Sequence, residues 1–299
     1  MPFPARDLLN EKYYFGKDKT FGKNERVKDH GKSSTIMVSR GCPYSCSFCA
    51  SPSIHKRKVR FRSLEKVREE LEQLVNLYGV RQFRWQDDNI PLNFHMQKGL
   101  EGLLHGSGVI SRGSARTDAV LNSTPILKKL YYAGFRELGF GIESADQKVL
   151  DLLGKKTSIG VNREALRLAK SEGFITRAFI MTGLPGEDIH SAERMINFFE
   201  SLGKDKPDVV TLTTFMPLPG CDIFSNPEKY GIKILTQNWN DYNIAISRDG
   251  TPNWTHRHNN LTHDQMNQNL EILKEYLFTN GMSNVKEYNV PYKSSLLKS

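Results

Sequence analysis

Apolar and polar positions along this chain alternate with two periods, one typical of amphipathic helices and one typical of buried strands. In residues 64–78 the large apolar side chains recur at the spacing of one helical face, which predicts a helix. Ser63 is its predicted N-cap, and Gly79 ends it. Residues 80–85, VRQFRW, follow directly and predict a strand.

This alternation of strand and helix continues to residue 217. Strands separated by helices favour a parallel sheet with right-handed crossovers, so the sequence predicts an α/β protein. The predicted strands are residues 34–39, 80–85, 108–116, 135–143, 174–183 and 208–217, and the predicted helices are 64–78, 124–134, 146–153, 161–172 and 188–203.

The segments on either side of this series have a different composition. Residues 1–33 are polar with scattered Pro, Gly and Lys, so we expect an extended arm rather than a domain. Residues 34–221 form the α/β unit. Residues 222–299 are less regular, apart from a predicted helix at 262–279, and we expect a C-terminal extension on the substrate side.

The composition fits a sizeable α/β core without a membrane segment. Of the 299 residues, 38% are apolar, and no apolar run approaches the roughly 20 residues of a spanning helix. The N-terminus has no apolar region of the kind found in secretory signals. We therefore expect a cytoplasmic protein, in which clustered cysteines bind metal or act in catalysis rather than form disulfides.

The chain is basic, with a formal net charge of +9 and a pI near 9.3. Such a surface attracts nucleic acid, phosphorylated substrates or acidic proteins, and the charge alone does not choose among them. Part of it lies in one run, HKRKVRFR at residues 55–62. A well-solvated surface accounts for this run equally well.

Polar, acidic and glycine-rich segments follow the predicted strands. The carboxyl ends of parallel strands meet at one edge of a sheet, where α/β enzymes carry their chemistry. We therefore expect a functional edge made of residues 39–50, 86–89, 114–116, 141–144, 183–187 and 217–221.

The first of these segments, residues 39–50, contains three of the four cysteines within eight consecutive positions. Cys42, Cys46 and Cys49 have the spacing C-x3-C-x2-C. Three thiolates suit a four-iron cluster with one iron left open, because Cys thiolates hold such clusters. A structural zinc site needs four ligands, and His55 is the local candidate for the fourth. The alternative is thus a zinc-stabilised nucleic-acid-binding protein.

This motif, with Phe48 directly before its last cysteine, resembles the signature of the radical S-adenosylmethionine (SAM) superfamily. The resemblance extends from about residue 33 to residue 221. It implies a partial (β/α)6 barrel and an oxygen-sensitive 4Fe–4S cluster. In that superfamily the open iron chelates the amino and carboxylate groups of SAM. One electron then cleaves the sulfonium and releases a 5′-deoxyadenosyl radical, which abstracts hydrogen from a substrate unknown here.

Within the superfamily the chain resembles the cobalamin-binding subgroup. The sequence that often joins a cobalamin domain to the barrel resembles PFPARDLL, which starts here at residue 2. This predicts a chain without that domain and without tight cobalamin binding. A radical methyltransferase that uses cobalamin supplied free or by a separate protein is the alternative. The similar segments are GCPYSCSFCA, VRFRSLEKVREEL, YGVRQFRWQDDN, YYAGFRELGFGIES and FIMTGLPGE.

The resemblance also implies roles for residues around the cofactor. Phe48 would lie near the adenine. Asp87 and Asp88 would meet the methionine amino group, in a charge-assisted contact, unless one of them caps a helix. Glu143 would bind the nucleoside or the amino group.

Other cofactor contacts implied by the resemblance lie further along the chain. Lys155 would lie near the cofactor carboxylate, and Arg116 would bind that carboxylate or a substrate anion. The turn that starts with Gly183 and Leu184 would bring backbone close to the adenine, as its glycines allow.

Two features have a less specific interpretation. Cys221 follows the last strand, where its thiol could donate hydrogen near the radical or bind metal, although a free cysteine is ordinarily a small buried apolar residue. Lys56, Arg57 and Lys58 could receive a phosphorylated substrate or an acidic electron donor of the flavodoxin or ferredoxin type.

Overall fold

A curled sheet of parallel strands organises the protein. The computed structural model describes residues 3–16, 31–90, 99, 101–122, 124–242 and 252–282. The sheet is a partial (β/α)6 barrel, which confirms the predicted fold. In order across the sheet, the strands in the described part of the chain are β1 (Lys32–Ile36), β4 (Val80–Trp85), β5 (Ile110–Ala115), β6 (Phe135–Glu143), β7 (Ile175–Thr182) and β8 (Val209–Thr214).

Short strands and helices complete the described structure. β2 (Ser39–Arg40) pairs with β3 (Arg60–Phe61), and β9 (Ile232–Ile234) pairs with β10 (His256–His258), both antiparallel. No helix of the described residues is long and apolar enough to span a membrane. The α-helices with both ends in the described part of the chain are Glu11–Tyr14, Ser51–His55, Leu64–Tyr78, Thr117–Leu121, Thr124–Tyr132, Gln147–Leu152, Ile159–Ser171, Ser191–Glu200, Asp222–Ser225 and His263–Thr279.

The helix Leu64–Tyr78 has the ends that its sequence predicts. The Ser63 side chain accepts a hydrogen bond from the Lys66 N–H, and Gly79 adopts a left-handed conformation with φ of 68°. Both are standard ways to satisfy the backbone groups that a helix end leaves unpaired. Its apolar face then packs on the sheet, as the period of the sequence requires.

One face of the sheet forms the main core and the other is polar. Phe83, Leu138 and Phe140 are fully buried in the cluster that includes the helices. Successive side chains of a strand point to opposite faces, so Glu137 lies on the other face. There its Oε1 is 2.7 Å from Nε of Arg177, a buried ion pair between β6 and β7. The second face of the sheet thus carries buried charged side chains.

The described part of the N-terminal arm packs on the barrel. Glu70, on the helix Leu64–Tyr78, lies 2.6 Å from Nη2 of Arg6 and 2.6 Å from Nη1 of Arg62, and only 2% of its side chain is exposed. Phe15 stacks on Tyr78 with ring centroids 4.7 Å apart. The rest of the predicted arm, residues 1–2 and 17–30, lies outside the described residues.

The C-terminal segment contributes to the main core. The helix His263–Thr279, predicted at 262–279, packs against the helix Ser191–Glu200 and against β7 and β8. Its Leu273 and Leu277 belong to the same core cluster as the sheet. The extension is therefore packed into the barrel rather than appended to it.

Candidate active site

The cysteines lie in an excursion between β2 and β3. The predicted strand 34–39 is too long, because the sheet strand β1 ends at Ile36 and Ser39 already pairs with Phe61 of β3. Gly41 has φ of 97°, and a Cβ there would lie 2.2 Å from the Lys58 carbonyl oxygen. This close approach, which requires glycine, closes the loop at its base.

Two carboxylates after β4 tie this loop to the sheet. Oδ1 of Asp87 accepts hydrogen bonds from the Ser39 N–H at 2.6 Å and the Ser39 hydroxyl at 2.5 Å, and its Oδ2 accepts one from the Val38 N–H at 3.3 Å. Burial raises the pKa of Asp87 above its usual value, although these hydrogen bonds act in the opposite direction. Asp88 accepts a hydrogen bond from the Gly41 N–H at 2.8 Å. In this geometry both hold the start of the cysteine loop, and their contact with the SAM amino group stays a prediction.

The three loop cysteines are free thiols of intermediate burial. Burial raises the pKa of Cys42 and of Cys49, whereas backbone N–H groups of Tyr44 and Ser51 lower it and favour the thiolate. Arg116 also lowers the pKa of Cys42 through its charge. The loop therefore already contains donors that stabilise thiolate sulfur, which is the form that binds iron.

Arg116 joins the cysteine loop to the edge of the barrel. Its Nη1 lies 3.7 Å from Sγ of Cys46, and its guanidinium stacks 3.7 Å from the ring centroid of Tyr44. The same group donates to Asp118 at 2.9 Å and to the Lys155 carbonyl at 2.6 Å. These contacts place a fixed positive charge beside a cysteine, and the predicted contact of Arg116 with a cofactor or substrate carboxylate stays a prediction.

A buried ion pair lies at the end of β6. Nζ of Lys155 is 2.5 Å from Oε1 of Glu143, with 6% and 11% of the two side chains exposed. Glu143 has φ of 63°, unusual for a residue other than glycine, at the point where the register of β6 and β7 shifts. A Cβ at position 141 would lie 2.4 Å from Oε1 of Glu143, so only Gly141 leaves room for the pair.

The cysteine loop contacts this ion pair. Nζ of Lys155 lies 5.7 Å from the ring centroid of Phe48, and the Ser47 N–H donates to the Leu153 carbonyl at 2.9 Å. Phe48, Glu143 and Lys155, which the sequence predicts as cofactor contacts, therefore meet beside the cysteines. Their binding of SAM stays a prediction.

In the turn after β7, both the backbone N–H and the backbone carbonyl of Gly183 form hydrogen bonds with side chains. Gly183 has φ of 82°, and its N–H donates to Oε2 of Glu187 at 2.8 Å. Its carbonyl accepts from Nε2 of His256 at 2.9 Å and from Nε2 of His258 at 2.8 Å. Leu184 is fully buried beneath the turn. The two histidines were missed from the sequence, because a strand of three residues has no period that would indicate them.

Cys221 is a buried residue in the second core cluster. Only 1% of it is exposed, and it packs in a cluster with Phe48 and Leu184. Its Sγ accepts the Phe224 N–H at 3.3 Å, which caps the helix Asp222–Ser225, and burial raises its pKa. These contacts are those of a small core residue, and the catalytic role stays a prediction.

Lys56, Arg57 and Lys58 of the basic run have no ion pair within the described residues, whereas Arg62 of the same run pairs with Glu70. Lys56, Arg57 and Lys58 are exposed, and Lys56 and Arg57 both have left-handed backbones, with φ of 53° and 54°. Ile54 beside them is 70% exposed. The described residues contain no group of three His, Cys, Asp or Glu side chains that could hold a single metal ion, and Nε2 of His55 lies 4.0 Å from Asp88. A four-iron cluster does not need such convergence, since each thiolate binds a different iron.

The partial barrel and the three-cysteine loop define an iron–sulfur enzyme. A family model described as the radical SAM superfamily matches residues 36–199. The chain therefore belongs to this superfamily, whose members bind a 4Fe–4S cluster and SAM. This decides against the zinc-stabilised nucleic-acid-binding alternative. The described thiols, with their backbone donors and Arg116, fit such a cluster.

The curated relatives of this chain include a methyltransferase and a cyclase. An uncharacterized methyltransferase of Pyrococcus horikoshii is 28% identical over 81% of this chain and 49% of its own length. An anaerobic magnesium-protoporphyrin IX monomethyl ester cyclase of Rubrivivax gelatinosus is 29% identical over 69% of this chain and 36% of the relative. The chain thus spans half or less of the length of these relatives.

Solved structures show the same fold. The cobalamin-dependent SAM radical enzyme OxsB superposes with a TM-score of 0.59 at 19% identity, over 83% of this chain and 41% of that one. The radical SAM methyltransferase TsrM of Kitasatospora setae, with cobalamin and a 4Fe–4S cluster bound, gives 0.57 at 18% identity, over 68% and 42%. At these identities the likeness establishes the fold alone.

The buried groups around Gly183 predict a specific dependence of stability on pH. Burial raises the pKa of Glu187 from 4.5 to about 8, so its contribution to stability is lost as the pH rises through this range. Burial lowers the pKa of His256 from 6.5 to about 3, so its contribution is lost as the pH falls below 6.5. We expect maximal stability between pH 4.5 and 6.5 from these two groups.

Denaturant unfolding at pH 6.5 and pH 8 tests this prediction. The wild type should lose about 2 kcal/mol of unfolding free energy over this interval, at about 1.4 kcal/mol per pH unit. Glu187→Gln, which mimics the neutral acid, should flatten this limb, and the exposed Glu193→Gln should not. Equal slopes in wild type and Glu187→Gln would contradict the prediction.

Proposed function

We propose that this chain cleaves SAM reductively at a 4Fe–4S cluster held by Cys42, Cys46 and Cys49. When bound, such a cluster would supply the electron for cleavage of SAM, and the 5′-deoxyadenosyl radical so released would abstract hydrogen from a small-molecule substrate. The observation that carries the proposal is the contact between the cysteine loop and the buried Glu143–Lys155 pair, through Phe48 at 5.7 Å from Lys155. It supports a cluster and a charged cofactor at adjacent positions on one edge.

Different residues of the chain would contact the cluster and SAM. Arg116, 3.7 Å from Cys46, offsets the negative charge of thiolate ligands. Glu143 offers a carboxylate that an ammonium or a ribose hydroxyl can approach. Lys155 offers an ammonium that can pair with a carboxylate. Paired with each other at 2.5 Å, they keep both charges stable in a buried place until the cofactor arrives.

The adenine end is assigned to the turn after β7. Gly183, with φ of 82°, shapes this turn, and Leu184 and Phe48 belong to one apolar cluster that would line the site. Asp87 and Asp88 act in this proposal mainly by holding the cysteine loop, with Asp88 the more exposed of the two.

A cobalamin-using methyltransferase is the second candidate. The relatives favour it, because they include an uncharacterized methyltransferase and a cytidylyl-2-hydroxyethylphosphonate methyltransferase of Streptomyces wedmorensis, 27% identical over 68% of this chain. Cobalamin that stays with the protein in stoichiometric amount through gel filtration would select this candidate. We propose that the chain alone binds none tightly.

The cluster itself is the first test. Anaerobically reconstituted protein should hold about four irons and, with dithionite, slowly release 5′-deoxyadenosine from SAM. Cys42→Ala, Cys46→Ala and Cys49→Ala should each abolish iron binding. Cys221→Ala is the matched control, because its thiol is buried in the apolar cluster, and it should keep the iron. Loss of iron in that variant would show that the ligand set is wrong.

The role of Glu143 is tested by cofactor affinity. Glu143→Ala should weaken SAM binding by roughly 1–3 kcal/mol, the scale of a lost hydrogen bond to a charged group. Equilibrium binding to the reconstituted protein measures this. Glu164→Ala is the control, since that acid is 58% exposed on a helix. SAM affinity that is unchanged in Glu143→Ala would remove Glu143 from the site.

The basic run predicts how the cluster receives electrons. Flavodoxins and ferredoxins are typically acidic, and association of opposite charges weakens as salt rises. Replacing Lys56, Arg57 and Lys58 by Gln should slow cluster reduction by flavodoxin but not by dithionite, which needs no docking surface. The same change at Lys128, Lys204 and Lys233, which are also exposed, is the control. Equal loss with dithionite would assign the run to the substrate site.

A further inference from the structure

Two histidines from the C-terminal segment converge on a single backbone oxygen. Nε2 of His256 and Nε2 of His258 lie 2.9 and 2.8 Å from the carbonyl oxygen of Gly183. A carbonyl has two lone pairs, and both rings can donate to it when each carries its proton on Nε2. Because the Gly183 N–H is bound to Glu187, both polar backbone atoms of this residue are held by side chains.

The geometry of β10 produces this convergence. Side chains two residues apart in a strand share a face, so His256 and His258 point inward while Arg257 points out and is exposed. β10 is held by its pairing with β9, where His256 lies opposite Ile234 and His258 opposite Ile232. The two rings are therefore delivered by a paired strand rather than by a loose loop.

The surroundings of the contact are fully packed. His256 is 0% and His258 5% exposed. A Cβ at Gly183 would lie 2.4 Å from the Trp254 ring, so the same segment also sets the shape of the turn. Burial lowers the pKa of both imidazoles, which keeps them neutral and able to hold the Nε2 proton near neutral pH.

The same extension reaches the cysteine loop at its other end. The Ser53 hydroxyl donates to the Gly220 carbonyl, and the Ile223 N–H donates to the Ser47 carbonyl at 3.1 Å. From there the chain continues into β9 and so to β10. The described residues of this stretch, 220–242 and 252–258, lie beyond the family match at 36–199. They connect the cluster loop with the turn after β7.

We propose that His256 and His258 are positioning residues that hold the Gly183 turn in the conformation that binds the adenine end of SAM. They act through the Gly183 carbonyl and do not touch the reacting atoms. This inference rests on the proposed function, because it takes the turn to be part of the cofactor site.

Removal of the two donors should act on affinity for the cofactor. A single Leu variant leaves the carbonyl one hydrogen bond, whereas His256→Leu with His258→Leu leaves it buried and unpaired. We expect the double variant to bind SAM about tenfold more weakly. His256→Gln and His258→Gln keep an N–H donor of similar reach and should restore most of the affinity. Arg257→Gln, on the same strand, should bind as the wild type does.

The experiment compares SAM and free methionine on reconstituted protein. Dissociation constants for SAM come from equilibrium binding, and the shift of the reduced-cluster electron paramagnetic resonance signal reports methionine, which has no adenine. A positioning role predicts loss of SAM affinity with unchanged iron content and an unchanged methionine shift. A merely structural role would instead lower thermal stability and leave SAM affinity within twofold, which would overturn the proposal.

Two further outcomes are distinguishable. If the double Leu variant does not fold, His258→Leu should still bind SAM more weakly than His258→Gln, because it leaves the carbonyl with one donor instead of two; equal SAM affinity in this pair overturns the inference. If the wild type holds iron but does not bind SAM, the proposed function fails together with the inference. Normal SAM binding by the wild type and by both Leu variants refutes the histidine role alone.

Discussion

The attachment of the cysteine loop to the sheet is the constraint on which the rest of the site depends. A loop of small and polar residues has little apolar surface with which to fix itself. Here Asp87 takes the N–H groups of Val38 and Ser39, and Asp88 takes that of Gly41, directly before the first cysteine. These carboxylates follow β4, the neighbour of β1 in the sheet, so sheet pairing places the acceptors where the loop begins. The position of the thiols is thus set by strand order.

Charge balance is the second condition on this edge. Thiolate ligands add negative charge, and the structure sets cations near them: Arg116 beside Cys46 and Lys155 beside Phe48. Each cation is partnered, by Asp118 and Glu143 respectively, because an uncompensated buried charge is costly. In the proposed site, the pairing between Lys155 and Glu143 would be exchanged for pairing with a zwitterionic cofactor, which carries both an ammonium and a carboxylate. An edge lined only by apolar side chains would have no charged groups to pair with such a cofactor.

Residues in regular elements were predictable, and those that depend on distant contacts were not. The apolar period of residues 64–78 and the Ser63 cap gave the helix Leu64–Tyr78, because both signals are local. The end of β1 at Ile36 was missed, since the pairing of Ser39 with Phe61 joins residues 22 positions apart in the chain. The motif alone predicts Cys42, Cys46 and Cys49 as cluster ligands, without any structure. The Lys155–Glu143 distance and the Asp87 contacts needed the fold, because sequence spacing does not determine which strand ends meet.

The histidines of β10 show why the extension belongs with the site. Gly183 directly follows β7. Its carbonyl lies beyond the last pair of the β7–β8 ladder, Thr182 with Thr214, so the sheet supplies no donor for it and another donor is needed. A buried carbonyl without one is destabilising, and His256 and His258 supply two. The donors come from a segment that also touches Ser47 and Ser53 in the cysteine loop. One stretch of chain thereby contacts the cluster loop and the turn after β7, so the distance between them is set by the extension as well as by the barrel.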